Sequence, residues 1–361
     1  MRRIKVYDTT LRDGAQSEGI SFSCRDKLDL VRKLDAFGMD FIEGGWPGSS
    51  PRDDGFFSEA ASLELENSSL VAFGSTCRYG TEPEDDANLA ALSSCCAEWC
   101  CIFGKTWDLH IREALKISPE DNLSIIENSI RFLRDSGKRV MFDAEHFFDG
   151  YRSDPDLTAE AVRAAEKAGS EWIVLCDTNG GSLPGYVYES VKEISGKVSV
   201  PLGIHCHNDS DLAVACTLSA AEAGCGMVQG TVNGIGERCG NTNLCTLLPN
   251  LSIKMGMDLG KIDIRAVTEL SKYAGEIANT VPDPNMPYVG SRAFAHKGGI
   301  HVSAIARNPS TYEHVPPESV GNARRILVSD MAGRASIAEK LKQLGMDSGG
   351  DKDIADTIKN L

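Results

Sequence analysis

Apolar residues in the first two-thirds of the chain fall in short runs that alternate with amphipathic stretches, a repeat of about thirty residues that reads as βαβ units. The runs at 4–8, 41–44, 70–74, 99–103, 140–143, 172–176, 202–205 and 227–232 predict eight strands. Between them, sets such as Leu30, Val31, Leu34 and Phe37, or Ala161, Val162, Ala165 and Ala168, return at the spacing of a helix face, with Ser23 and Thr158 placed as N-caps. Eight strand–helix pairs in about 257 residues predict an α/β fold, a (β/α)8 TIM barrel. A doubly wound open sheet shares that periodicity, but no G-x-G-x-x-G follows the first strand. Past residue 256 the alternation stops. A helix with Val267, Leu270, Ala274 and Ile277, a segment with Pro282, Pro284 and Pro287, and a last helix with Ile337, Leu341 and Leu344 predict a small, mainly helical C-terminal linker subdomain over 258–361.

Composition narrows the class of function. With 42% hydrophobic residues in 361, the chain has a core for one large domain or two ordinary ones. Its 52 acidic and 37 basic residues leave a net charge of −15, which argues against nucleic acid or an anionic membrane as the main partner. No run approaches the ~20 apolar residues of a membrane helix, and residues 1–6 lead straight into a strand without a signal core, so a cytoplasmic location is expected. The 12 cysteines include no C-x-x-C pair, and the doublets Cys95–Cys96 and Cys100–Cys101 cannot chelate a metal as such loops do. Reduced, mostly packed thiols are expected.

A TIM barrel carries its chemistry at the C-terminal ends of its strands. There the sequence offers Arg12 and Asp13, Glu43, Glu145 and His146, Asp177 and Thr178, His205 and His207, and Glu237 and Asn241. His205-Cys206-His207 is the sharpest local signal, because residues i and i+2 of a strand face the same way and both imidazoles would meet one point. Structural polar packing is the alternative for an isolated pair. With Asp13 as a facing carboxylate, the set makes a mixed N and O shell suited to Mn²⁺, Mg²⁺, Zn²⁺ or Co²⁺ with positions open for substrate. Arg12, at a glycine turn beside Asp13, could stabilise an oxygen that gains negative charge, or simply pair with Asp13 at the rim. Glu145 could orient a base or a water, or take a buried salt bridge. Thr178 could bind a carboxylate, or cap a helix. The stretch Gly234 to Gly240 is a weak phosphate-loop match with no Lys-Ser/Thr after it, so a nucleotide site carries little weight.

Leu11-Arg12-Asp13-Gly14-Ala15-Gln16 with Lys27 beyond it, His205-Cys206-His207-Asn208-Asp209, and Gly236-Glu237-Arg238-Cys239-Gly240-Asn241 stand in the order of three motifs of one enzyme family. On them the chain resembles the 2-isopropylmalate, homocitrate and citramalate synthase family of the DRE-TIM metallolyases. Residues 42–53, 143–151, 175–181 and 297–337 look most like its bacterial citramalate synthase branch, so the likeness covers essentially the whole chain. The resemblance implies a Claisen-type condensation of acetyl-CoA with a 2-oxo acid, pyruvate giving citramalate and CoA. It implies a divalent ion on Asp13, His205 and His207 with Asn241 close by, Arg12 at the enolate or alkoxide, and Thr178 on the substrate carboxylate. It also matches His301 to the family's base, supported by Glu145, and Tyr312 to a tyrosine beside that base. The resemblance further implies a homodimer in which the post-barrel segment, with His301 and Tyr312, completes the partner's site, while the charge balance leaves no nucleic acid or membrane partner expected.

Three departures stand out. Asp211 replaces the family's usual glycine, and is also a reasonable helix N-cap. Ala15 replaces a commonly acidic residue. The C-terminal amino-acid-binding domain of feedback-regulated members is expected to be absent from these 361 residues. Rival readings are the same chemistry on a larger 2-oxo acid, a metal-dependent lyase or aldolase, and a barrel without catalysis. Cys239 lies inside the Gly-Glu-Arg motif rather than in the glycine loop that carries a lyase's cysteine.

Overall fold

Eight parallel strands close on themselves in the computed structural model, which describes residues 1–327. They are β1 (Lys5–Asp8), β2 (Phe41–Gly45), β3 (Ser69–Ser75), β4 (Trp99–Lys105), β5 (Arg139–Glu145), β6 (Trp172–Asp177), β7 (Leu202–Cys206) and β8 (Met227–Gly230). Each pairs with the next, and β1 pairs with β8 through Lys5↔Met227 to Asp8↔Gly230, so the sheet is a barrel and not an open, doubly wound layer. The inward side chains Tyr7, Phe41, Val71, Trp99, Met141, Val174 and Met227 fill the interior as one apolar cluster. This is the packed core expected of the fold, and it leaves the strand ends as the place for polar chemistry.

The helices that cover the barrel start where local chemistry fixes them. Ahead of α1 (Cys24–Phe37), the Ser23 side chain accepts from Asp26 N at 3.2 Å while the Asp26 carboxylate accepts from Ser23 N at 2.8 Å, a reciprocal capping box. The longer of the two helices between β5 and β6 corrects an expectation. It spans Pro155–Ala168 with Asp154 as its N-cap, and Thr158 lies inside its first turn. Pro155, with φ already set for a helix and no N–H to satisfy, starts it four residues early. The Thr158 hydroxyl instead donates to Thr106 O at 3.0 Å. Asp211 is not an N-cap either. The helix Ala213–Ala223 begins after Leu212, and Asn208 Oδ1 accepts from Ala213 N at 3.1 Å. Asp211 itself has φ 58°, the left-handed region where glycine is easiest, which accounts physically for a glycine at that place in the family.

The described chain divides into two compact units, 1–263 with 273–280, and 264–272 with the chain from 281 onward. In the second, the short strands Ala295–His296 and Arg325–Ile326 pair in parallel, and a helix spans Gly299–Arg307. Buried Glu313 accepts from His296 Nε2 at 3.1 Å and from Arg324 Nε at 2.6 Å, tying this unit together. The helix expected around Ile337, Leu341 and Leu344 lies outside the described residues. All 12 cysteines are free thiols, eight of them buried.

Candidate active site

The turn after β1 carries Arg12 and Asp13, and it is braced from below. Asp8 accepts from Thr10 N at 3.0 Å and from the Thr10 hydroxyl at 2.8 Å, and that hydroxyl accepts from Val232 N at 2.9 Å, which pins the turn to the loop after β8. Burial, with those hydrogen bonds opposing it, pushes the Asp8 carboxyl up to about 7.

Period two on β7 does what the sequence predicts. The His205 and His207 rings lie 5.0 Å apart, and their Nε2 atoms stand 3.6 Å and 4.0 Å from Asp13 Oδ2. All three side chains are buried, and among the described residues they form the one group of His, Cys, Asp and Glu ligand atoms close enough to share an ion. Burial first, then the neighbouring His207, holds His205 down at about 3, so its imidazole is neutral with a lone pair to give. Burial also works against the charge on Asp13, but Arg12 and the two histidines outweigh it and keep the carboxyl at about 2.

Whether these residues suit a divalent cation can be tested on Asn241. Its Nδ2 donates to Asp13 Oδ1 at 3.0 Å and to Ile235 O at 3.2 Å, which fixes the amide, yet its Oδ1 is buried without a hydrogen-bond partner. An orphaned carbonyl oxygen costs about 1–3 kcal/mol unless something accepts its lone pair. A hard cation would do so, and one carboxylate, two neutral imidazoles and an amide oxygen are a donor set that fits one. Gly236 is required there, because a Cβ would collide with Asn241 Nδ2.

Two residues that reading the sequence left without a role set the geometry. Glu43 on β2 accepts from Arg12 Nε at 2.6 Å and from the Tyr7 hydroxyl at 2.7 Å. Arg12 also lies 3.6 Å from the Phe73 ring centroid and 3.3 Å from Asp13 Oδ2, so its guanidinium is held on three sides. The second is Gln229 on β8, whose Oε1 faces His205 Nδ1 at 3.1 Å. Their signal in the sequence was a polar side chain inside an otherwise apolar strand.

Arg12, Asp13, Glu145, Thr178, His205 and His207 line a single cavity of about 220 Å³ at the C-terminal ends of the strands. One wall is aromatic, with Trp46, Phe73 and Phe103 packed at 5.5–5.8 Å between centroids. Thr178 Oγ1 accepts from His146 N at 2.9 Å, which fixes the hydroxyl and leaves its proton for a ligand. Glu145 is ion-paired with Lys105. His301 and Tyr312 belong to the second unit, where both are exposed and their rings stack at 4.1 Å.

Residues 3–273 match the HMGL-like family, and residues 288–361 match the homocitrate synthase post-HMGL domain-like family. Among curated proteins, the (R)-citramalate synthase of Aquifex aeolicus is 47% identical over 99% of this chain and 69% of its own length. That of Synechocystis is 51% identical over 94% of this chain and 64% of its own. The chain thus spans about two thirds of the length of the curated relatives it matches. 2-Isopropylmalate and homocitrate synthases align at 35–37% identity. Among solved structures, hydroxymethylglutaryl-CoA lyase from Pseudomonas aeruginosa has a TM-score of 0.67 at 20% identity, covering 81% of this chain and 96% of that one, a likeness of fold.

Proposed function

Because the chain belongs to the HMGL-like family and, within it, to the citramalate synthases, we propose that it is an acyltransferase joining acetyl-CoA and pyruvate by a Claisen condensation to give (R)-citramalate and CoA, in isoleucine biosynthesis. The observation that carries this reading is the buried Asp13–His205–His207 group beside the anchored Arg12, with the Asn241 oxygen left unpaired. Asp13, His205 and His207, with Asn241, would hold the divalent ion, Mn²⁺, Mg²⁺, Zn²⁺ or Co²⁺. When bound, it supplies Lewis-acid polarisation of the 2-oxo acid's carbonyl.

The remaining work falls to the chain's own side chains. Arg12 has its Nε committed to Glu43 and its Nη1 donating to Asp13, so Nη2 is the donor left to meet an oxygen as that oxygen gains charge. Thr178 gives its hydroxyl proton to the substrate carboxylate. Trp46, Phe73 and Phe103 form an aromatic wall of the cavity against which the side chain of the 2-oxo acid would lie. His301, stacked on Tyr312, is the base that takes a proton from the acetyl methyl, with Glu145 in support. Neither polarisation nor base catalysis suffices alone, since general-base help is worth about 10²–10⁴ in rate. His301 and Tyr312 act on the partner's barrel in a homodimer. No helix among the described residues is long and apolar enough to cross a membrane, and 12 free thiols agree with a cytoplasmic location.

The test is CoA-thiol release from acetyl-CoA with pyruvate, 2-oxoisovalerate and 2-oxoglutarate. Pyruvate is expected to lead in kcat/KM by at least about tenfold, the discrimination that a methylene or two can give. EDTA-treated protein is expected to be inactive until a divalent ion is restored. Preference for 2-oxoisovalerate would make the chain a 2-isopropylmalate synthase, and full activity in metal-free protein would sink the metal assignment.

A further inference from the structure

We propose that Cys95 and Cys100 form an oxidisable thiol pair, at the end of the barrel opposite the acyl-transfer cavity, that reduces a hydroperoxide and closes to an intramolecular disulfide. Cys95 follows the helix Ala87–Ser94, and its N–H closes that helix on Ala91 O at 3.1 Å. Its thiol donates to Leu92 O at 3.2 Å. Cys100, the second residue of β4, turns outward from the barrel and reaches the same carbonyl at 3.7 Å. Both thiols thus converge on one carbonyl oxygen.

Access separates their roles. Cys95 and Cys96 line a surface cavity of about 400 Å³ beside Ala91, Ser94, Phe57 and Asp54, whereas Cys100 is fully buried behind Cys95. Lys138 supports charge at Cys95, since its ammonium donates to Cys95 O at 2.6 Å and Ala97 O at 2.8 Å. The neighbouring Cys100 thiol, with Lys138 nearby, draws the Cys95 thiol down to about 7. The Cys95 thiol and burial in turn push Cys100 well above its ordinary value, and burial with Cys95 alongside raises Cys96. Cys95 is therefore the thiolate that meets solvent, and Cys100 the thiol placed to resolve it.

The chemistry balances with a hydroperoxide as oxidant. The Cys95 thiolate attacks the distal peroxide oxygen, the O–O bond breaks, and Cys95 becomes a sulfenic acid while the leaving alkoxide or hydroxide takes a proton from water. Cys100 Sγ then attacks the sulfenic sulfur. The S–S bond forms, and the hydroxyl leaves as water with the proton from Cys100. Two thiols give up two electrons and one peroxide is reduced.

Cys95, Cys96, Cys100 and Cys101 all lie between Arg78 and Lys105, in one tryptic peptide. Intact protein is treated with one equivalent of hydrogen peroxide in the presence of dimedone, and free thiols are then alkylated and the peptide weighed. Wild type should lose two thiols and 2 Da with no dimedone adduct, and dithiothreitol should restore both. Cys100→Ser should carry one dimedone on Cys95. In Cys95→Ser, thiol loss from this peptide should slow by at least about tenfold. Four intact thiols in the wild-type peptide while Cys239 is oxidised would overturn the proposal, as would a disulfide that still forms in Cys95→Ser. Both serine variants should match wild type in circular dichroism, which separates lost reactivity from lost fold.

Discussion

Gln229 decides which nitrogen of His205 faces Asp13. Its amide oxygen can only accept, so His205 Nδ1 must be the protonated nitrogen and Nε2 the one with a lone pair. The other end of the amide is set by Asp143, which accepts from Gln229 Nε2 at 3.4 Å and from the Cys101 thiol at 3.1 Å. Burial, with Glu43 adding to it, lifts the Asp143 carboxyl to about 7. Replacing Gln229 by Leu removes the acceptor and frees the tautomer, so Mn²⁺ affinity, read by electron paramagnetic resonance, should fall about 10–100-fold, whereas Gln229→Glu keeps an acceptor and most of the affinity. Unchanged binding in Gln229→Leu would show that Gln229 does not orient His205. Arg12 gives a second expectation. Lysine keeps the charge but cannot hold Glu43 through one N–H while presenting others in a fixed fork, so Arg12→Lys should lower kcat by about 10²–10³ with a much smaller change in KM for pyruvate. A kcat equal to wild type would remove Arg12 from the chemistry. His205 and His207 were legible in the sequence because their relation is local, a matter of strand period. Glu43 and Gln229 act on partners 31 and 24 residues away, and those contacts exist only once β1 pairs with β2 and β7 with β8.

At the scale of elements, the apolar period located every barrel strand to within a few residues, because burial inside and outside a closed sheet demands near-continuous hydrophobic runs. Helix starts were less legible, since several residues near each start can cap and only one does. Ser23 was identified from its place before an amphipathic run. Thr158 has the same side chain chemistry, but Asp154 with Pro155 took the position first, accepting from Leu157 N at 3.0 Å. The capping box ahead of the first helix makes a measurable difference. Ser23→Ala should cost about 1 kcal/mol in urea unfolding, and Asp26→Ala should cost little more on top of it, because each residue satisfies the other's backbone N–H. Fully additive losses in the double variant would mean that the two hydrogen bonds are independent.

At the scale of the whole molecule, strand pairing settles what periodicity left open. Only closure between β1 and β8 brings Asp13, from the first strand's end, to His205 and His207 from the seventh. The proposed base is a different matter, because His301 sits in the second compact unit, where its ring stacks on Tyr312. If that unit serves the partner's barrel, then His301→Ala and His205→Ala are each inactive for reasons that lie in different halves of one site. Mixed and allowed to exchange subunits, they should recover activity. In each heterodimer one site carries both defects, and the other combines an intact metal group with an intact base. Random exchange makes half the dimers mixed and half of their sites competent, so up to about a quarter of wild-type activity should return. Exchange is followed independently by mass difference between labelled subunits in native mass spectrometry. A mixture that exchanges fully yet stays inactive would place His301 in the site of its own chain, or pass the role of base to another residue.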